Sequence, residues 1–269
     1  MNFYVKKFIY YLRVRLNRFL NNQIKSEKFR KIESDLEIHG ISFLPKFIKN
    51  KNIDKILNEV NPHLKNLINK PNKKLKFYRH SREGIYRLYE ISKSCPTTKK
   101  FYNSRLIKDF AKYYVSKKTT MYQEMAEIRQ KPKLPPSKLK FSSDNFHFDD
   151  WRIRLKFFLI LTDITKKNAP LQYIPGSHKI NKNNMEKDLY INGKKGRYGF
   201  YKRHEVSKIL KKNKLKIKVC EAKAGTLIVV NTNGIHQGTV LVDQKNPRIQ
   251  LGIYSDVREK KWNPKNTDI

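Results

Sequence analysis

Residues 147–179 read HFDDWRIRLKFFLILTDITKKNAPLQYIPGSHK, and this stretch decides the fold. His147 and Asp149 stand two residues apart. Side chains on an extended segment alternate with period 2, so both project from one face and can clamp one ion. Behind them residues 153–164 carry the strongest strand pattern of the chain, Asp163 and Asn168 open a turn, residues 171–174 form another strand, and Pro175-Gly176 turns again. The stretch has a distant partner: Gly234-Ile235-His236-Gln237-Gly238 brings a second imidazole, and Arg248 follows it. Two histidines and one carboxylate make the facial set that leaves coordination positions open on non-heme Fe(II). Open positions serve chemistry rather than structural stapling.

Outward from this core, the last third is a run of short strands at residues 215–220, 226–231, 236–242 and 248–257. Turns at Ala224-Gly225, Asn233-Gly234 and Asn246-Pro247 part them, a spacing that predicts an antiparallel sandwich or barrel. In the last strand Ile249, Leu251 and Ile253 share one face, while Arg248, Gln250, Gly252 and Tyr254 share the other. One face packs and the other receives something polar. Upstream, residues 119–129 predict a strand carrying Gln123, and residues 131–139 a Pro- and Lys-rich loop. Residues 37–44 predict a first strand ending at Pro45, with His39 in a turn. Ile53, Ile56, Leu57 and Val60 recur at helical spacing, and residues 97–115 predict a further helix capped by Thr97 or Thr98. Residues 181–214 form a polar, Lys-rich excursion bordering the site, with a short helix at Val206, Ile209 and Leu210.

Taken in this order, the residues resemble the phytanoyl-CoA dioxygenase family of Fe(II)- and 2-oxoglutarate-dependent oxygenases, over residues 38–257. Residues 147–179 resemble that family's metal motif, strand, "LTD" turn and "PLxxxPGSH" turn; AGTLIVVNTNGIHQGT and NPRIQLGIY resemble its distal-histidine and arginine strands. The resemblance implies a mainly β fold with flanking helices and a double-stranded β-helix (jelly-roll, cupin-like) core. It implies His147, Asp149 and His236 as iron ligands and Arg248 as partner of the distal carboxylate of 2-oxoglutarate. The cosubstrates would be 2-oxoglutarate and O2, and the reaction hydroxylation of a small-molecule or acyl substrate with release of succinate and CO2. An arginine suits that anchoring role, since its planar fork meets a carboxylate bidentately and stays charged. Lys156, which shares strand parity with Phe158 and Ile160, and Gln123 are further cosubstrate candidates. His178 and Asp163 read as turn residues, and Asp150 as pointing away from Asp149. The chain departs from the family pattern at Thr226, where Asp is common, and at Ala169, where Gly is common. A non-catalytic jelly-roll binding protein is the other reading these departures leave open.

With 269 residues, 38% of them hydrophobic, the chain can pack one sizeable domain. The expected organisation is a basic amphipathic helical extension at residues 1–30 and a dioxygenase domain at residues 31–269. Two cysteines, Cys95 and Cys220, exclude a disulfide framework and a Cys-based zinc site, and fit a reducing, cytoplasmic compartment. No apolar run reaches the roughly 20 residues of a membrane-spanning helix. The net charge of +37 comes from lysines scattered in short clusters, so a nucleic-acid partner is not expected; anionic small molecules would still be attracted. Residues 1–20 place Val5, Phe8, Ile9, Leu12, Leu16, Phe19 and Leu20 on one helical stripe, with Lys6 and Arg13 elsewhere. Charges at Lys6, Lys7, Arg13 and Arg15 argue against a secretory signal. Two placements remain open for this helix: docking on the domain through its stripe, which the pattern favours, or lying on an anionic membrane surface.

Overall fold

The computed structural model describes residues 3–20, 26–72, 74–133, 145–179, 199–239, 241, 245–257 and 267–268. Residues 134–139 of the Pro- and Lys-rich loop and residues 181–198 of the excursion therefore lie outside the described residues. Two sheets face each other across a cavity. The larger orders its strands β1 (Ile41–Leu44), β10 (Leu227–Asn231), β6 (Leu155–Ile160), β12 (Arg248–Asp256), β4 (Thr120–Arg129), β3 (Ile85–Tyr89), β2 (Phe77–His80) and β13 (Thr267–Asp268). The smaller orders β8 (Gly199–Phe200), β5 (His147–Phe148), β11 (His236–Gln237), β7 (Leu171–Tyr173) and β9 (Lys218–Cys220). The strand pairs are antiparallel except β13 with β2.

The larger sheet separates an apolar face from a polar one, as strand parity requires. Ile249, Leu251 and Ile253 of β12 join Leu155, Phe157 and Leu159 of β6 and Leu227 and Val229 of β10 in the main core. That core is roofed by α2 (Glu27–Ile38), α3 (Asn50–Asn69) and α5 (Arg105–Tyr114), through Leu36, Val60, Leu64, Ile107 and Phe110. The other parity, with Lys156, Arg248, Gln250 and Tyr254, lines the cavity. β12 owes its central position to two full ladders, with β4 on one side and β6 on the other.

Several boundaries differ from the sequence reading, each for a local reason. The first strand is Ile41–Leu44 alone; Glu37 and Ile38 finish α2, which Ser26 caps by accepting from Phe29 N–H. Gly40, at φ +79°, makes the turn between them, and a Cβ there would fall 2.3 Å from the Tyr173 hydroxyl. His39 is the C-cap of α2, the structural role expected of it. The 97–115 helix breaks into α4 (Lys99–Tyr102) and α5, because the Ser104 side chain accepts from Ile107 N–H and starts a new helix. The hairpin of β2 and β3 has no counterpart in the sequence reading. Within the excursion, α6 (Arg203–Asn213) supplies the expected short helix, with Val206 buried.

The N-terminal helix α1 (Phe3–Leu20) forms as expected but docks by the opposite face. Val14 is buried in the main core with Tyr10 and Tyr11 beside it. Tyr11 donates to Trp151 C=O at 2.8 Å, Ile153 N–H donates to the Tyr10 hydroxyl at 3.1 Å, and Asn17 donates to the Lys112 and Tyr113 carbonyls. Arg18 lies over the Tyr114 ring and pairs with Glu37. The docking face wins because it supplies hydrogen-bonding tips as well as apolar bodies, which satisfies loop carbonyls that an aliphatic stripe would leave unpaired. The apolar stripe is left in water. Among the described residues no helix is long and apolar enough to cross a membrane.

Candidate metal centre and cosubstrate cavity

β5 and β11 are neighbours in the smaller sheet, with His147 directly opposite His236. Their rings lie 4.4 Å apart. Asp149 follows β5, fixed by its N–H to Thr232 C=O at 2.9 Å. Its Oδ1 is 3.7 Å from His147 Nε2 and 3.8 Å from His236 Nε2. One donor atom from each of the three lies within 4.8 Å of the others, and among the described residues this is the sole such group.

Both imidazoles are set for a metal by their other nitrogen. His147 Nδ1 meets Asn145 C=O and His236 Nδ1 meets Gly234 C=O, each at 2.8 Å. A carbonyl only accepts, so Nδ1 carries the proton and the Nε2 lone pair faces the centre. Burial lowers the pKa of both rings, that of His236 to about 3, so they are neutral. Burial alone would raise Asp149; the cations Lys156 and Arg154 outweigh it and hold the carboxyl ionised, well below its ordinary value. Two neutral imidazoles and one carboxylate fit a divalent iron. Gly234 admits no side chain, since a Cβ would come 1.8 Å from the Tyr173 hydroxyl, which itself donates to Asn231 C=O. The tight packing sets the strand that carries His236.

Lys156, on the facing sheet, places its ammonium 2.6 Å from Asp149 Oδ2, as an ion pair without the angle of a hydrogen bond. It also lies 4.7 Å from the centre of the Tyr254 ring. Asp150 points away, as parity predicts: it pairs with Arg152 at 2.9 Å and Arg154 at 3.3 Å. His178 is half-buried beside Gly40, outside the metal group. The Asp163 carboxylate holds the neighbouring turn through Ala224 N–H and Lys223, while its backbone carbonyl accepts from Asn168 within its own turn.

The cavity between the sheets, about 380 Å³, is lined by the three donors together with Gln123, Lys156 and Arg248. Gln123 has φ +59°, a left-handed kink in β4. Arg248 is buried; its Nη2 pairs with Glu127 at 2.6 Å, its Nη1 donates to Ala169 C=O, and its Nε has no hydrogen-bond partner. Glu127 in turn holds Arg87 at 2.6 Å, Arg129 at 3.3 Å and the Gln250 amide at 3.0 Å. Burial would raise Glu127, but Arg87, Arg129 and Arg248 reverse this and keep it well below the carboxylate range. Burial and the nearby Arg129 push Arg248 down to about 10. Ala169 stands at φ +60°, which explains why glycine suits that position; the carbonyl it presents to Arg248 comes with a left-handed residue.

Glu127, Arg87, Arg129 and Arg154 were not foreseen. Parity puts Glu127 and Arg129 on the same face of their strand as Gln123, the one signal that was available.

Residues 36–240 match the family model of phytanoyl-CoA dioxygenase, and the chain belongs to this family. No curated protein matches it. Among solved structures it is similar to the epimerase SnoN with Fe3+, alpha ketoglutarate and nogalamycin RO (12% identity, 90% of this chain and 94% of that one, TM-score 0.60). It is also similar to EctD from S. alaskensis with bound Fe (15%, 88% and 78%, TM-score 0.59) and to the carbocyclase SnoK (13%, 87% and 84%, TM-score 0.56). The fold is a double-stranded β-helix, and the class is that of 2-oxoglutarate-dependent oxygenases with iron and 2-oxoglutarate as cofactors.

Proposed function

We propose that the protein is an Fe(II)- and 2-oxoglutarate-dependent hydroxylase of a small-molecule, anionic or acyl substrate. The observation that carries this reading is the convergence of His147 Nε2, Asp149 Oδ1 and His236 Nε2 on one point. When bound there, iron supplies the activation of O2. One oxygen atom would oxidise 2-oxoglutarate to succinate and CO2, and the other would enter a C–H bond of the substrate.

The chain's own residues hold and orient. Lys156 engages Asp149 Oδ2, which leaves Oδ1 turned toward the imidazoles. Arg248 lines the cavity on the same sheet as Gln123 and would supply the cationic partner for the distal carboxylate of 2-oxoglutarate. Five cations, Arg87, Arg129, Arg154, Lys156 and Arg248, line the cavity against the two carboxylates Glu127 and Asp149. That imbalance supports a dianionic cosubstrate and an anionic substrate. The free, buried cysteines support a reducing compartment, the cytoplasm.

The test is succinate release from 2-oxoglutarate with Fe(II) and O2, followed by mass analysis of products from metabolite pools. Hydroxylation adds one oxygen drawn from O2. A product isomeric with its substrate would instead place the enzyme with the epimerase, and one that had lost two hydrogens with the carbocyclase. Protein that binds iron and 2-oxoglutarate yet forms no succinate would be a binding protein.

A further inference from the structure

The docked face of α1 leaves Val5, Phe8, Leu12, Leu16, Phe19 and Leu20 exposed, at 45, 67, 46, 50, 78 and 75% of their full surface. Helical geometry puts all six in one continuous stripe, opposite Val14 and the two docking tyrosines. A single exposed leucine needs no explanation; a stripe running the length of an 18-residue helix does. Exposed cations border it, Lys6 and Arg13 along one edge and Arg15 along the other.

We propose that this stripe docks on a phospholipid surface rich in anionic headgroups. Charge decides between the possible occupants. A second copy would bring another +37 charge and the same basic edges against this face, and the two would repel. A nucleic acid would use the cations but leave the apolar stripe in water. A bilayer interface takes both, with acyl chains under Phe8, Leu12 and Phe19 and anionic headgroups at Lys6, Arg13 and Arg15.

The docking is tied to the metal centre. The face of α1 opposite the stripe holds the loop after Asp149 through Tyr11 to Trp151 C=O and Tyr10 to Ile153. It also reaches the loop before His236, since Asn233 donates to the Tyr11 hydroxyl at 3.4 Å and to Trp151 C=O at 2.6 Å. One helix thickness, about 10 Å, separates those loops from the lipid-facing side. This places the cavity at the membrane surface whatever reaction it performs.

The overall charge would draw any such protein to anionic vesicles, so the test keeps charge constant. Flotation of the full chain is measured with vesicles of phosphatidylcholine alone and of phosphatidylcholine with phosphatidylglycerol. Wild type should float with the anionic vesicles and retain part of that binding in raised salt. Phe8→Gln/Leu12→Gln/Phe19→Gln, which changes no charge, should lose on the order of a hundredfold in affinity. Its melting temperature should hold, because the three side chains already face water. Lys6→Glu/Arg13→Glu/Arg15→Glu should weaken binding by roughly fivefold or more per residue. The proposal is overturned if the glutamine variant floats as well as wild type, which would make the attraction bulk charge alone. It is overturned equally if wild type ignores anionic vesicles, or if light scattering shows a dimer that the glutamine variant breaks.

Discussion

The two sheets that enclose the cavity are built in opposite ways. The smaller one works with strands of two or three residues at the centre, β5, β11 and β7, and supplies the neutral imidazoles and the turned-in Asp149. Each of its histidines is oriented by a carbonyl two residues earlier in its own chain. The larger sheet works with long strands and supplies cations gathered round a buried carboxylate, Glu127, whose partners come from β3, β4 and β12. Local carbonyls orient the histidines, while long-range strand pairing assembles both ends, β5 with β11 at the metal donors and β3, β4 and β12 at Glu127. One cavity thus sets a group of metal-ligating donors beside a group of cations, the pair of sites that the proposed function needs.

The largest effect expected from breaking this division is at Asp149. Asp149→Ala should abolish 2-oxoglutarate turnover and weaken Fe(II) binding by more than the roughly 10- to 100-fold typical of losing an outer-shell partner, while the fold survives. Asp150→Ala should do the reverse. It removes the nearer carboxylate of Arg154, which keeps Asp149 at 3.9 Å, and should cost about 1–3 kcal/mol of stability in urea unfolding while iron affinity holds. Equal losses of iron from both variants would mean that the wrong carboxylate has been assigned.

Glu127→Gln probes the other sheet. Removing the charge shared by three arginines should destabilise the protein by about 3–5 kcal/mol and leave Fe(II) affinity unchanged, as read by denaturant unfolding and metal titration. Loss of iron binding in folded Glu127→Gln would show that the two sheets are not independent. The smallest effect concerns the thiols. Burial pushes Cys95 up to about 11 and Cys220 up to about 12, so at neutral pH both stay protonated, and iodoacetamide should label them only on unfolding.

Legibility in the sequence followed the same line. His147, Asp149 and His236 were readable because ordered local motifs carry them, and the faces of β12 because parity survives folding. Arg248 was readable as a motif residue, but its buried partner was not: Glu127 lies on another strand, and pairing registers are not written in composition. The β2–β3 hairpin escaped because Arg87, which serves the cavity, interrupts its apolar pattern. For α1 the reading inverted the docking side. A hydrophobic stripe looks like the face that packs, whereas Tyr10, Tyr11, Asn17 and Arg18 dock by hydrogen bonds that no hydrophobic pattern records.

The most direct measurement is a pair of anaerobic titrations of the Fe(II)-loaded protein, followed by the visible band of the iron–oxo-acid complex, with melting curves alongside. Wild type and Arg248→Ala are each titrated with 2-oxoglutarate and with 2-oxobutyrate, which lacks the distal carboxylate. Arg87 and Arg129 still neutralise Glu127 in the variant, so the fold should hold. Loss of a buried charge-assisted pair costs about 2–5 kcal/mol, so 2-oxoglutarate should bind on the order of 30- to several-thousand-fold more weakly, while 2-oxobutyrate changes little. Unchanged 2-oxoglutarate affinity, or equal losses for both acids with a lowered melting temperature, would contradict the account and leave Arg248 as a structural partner of Glu127.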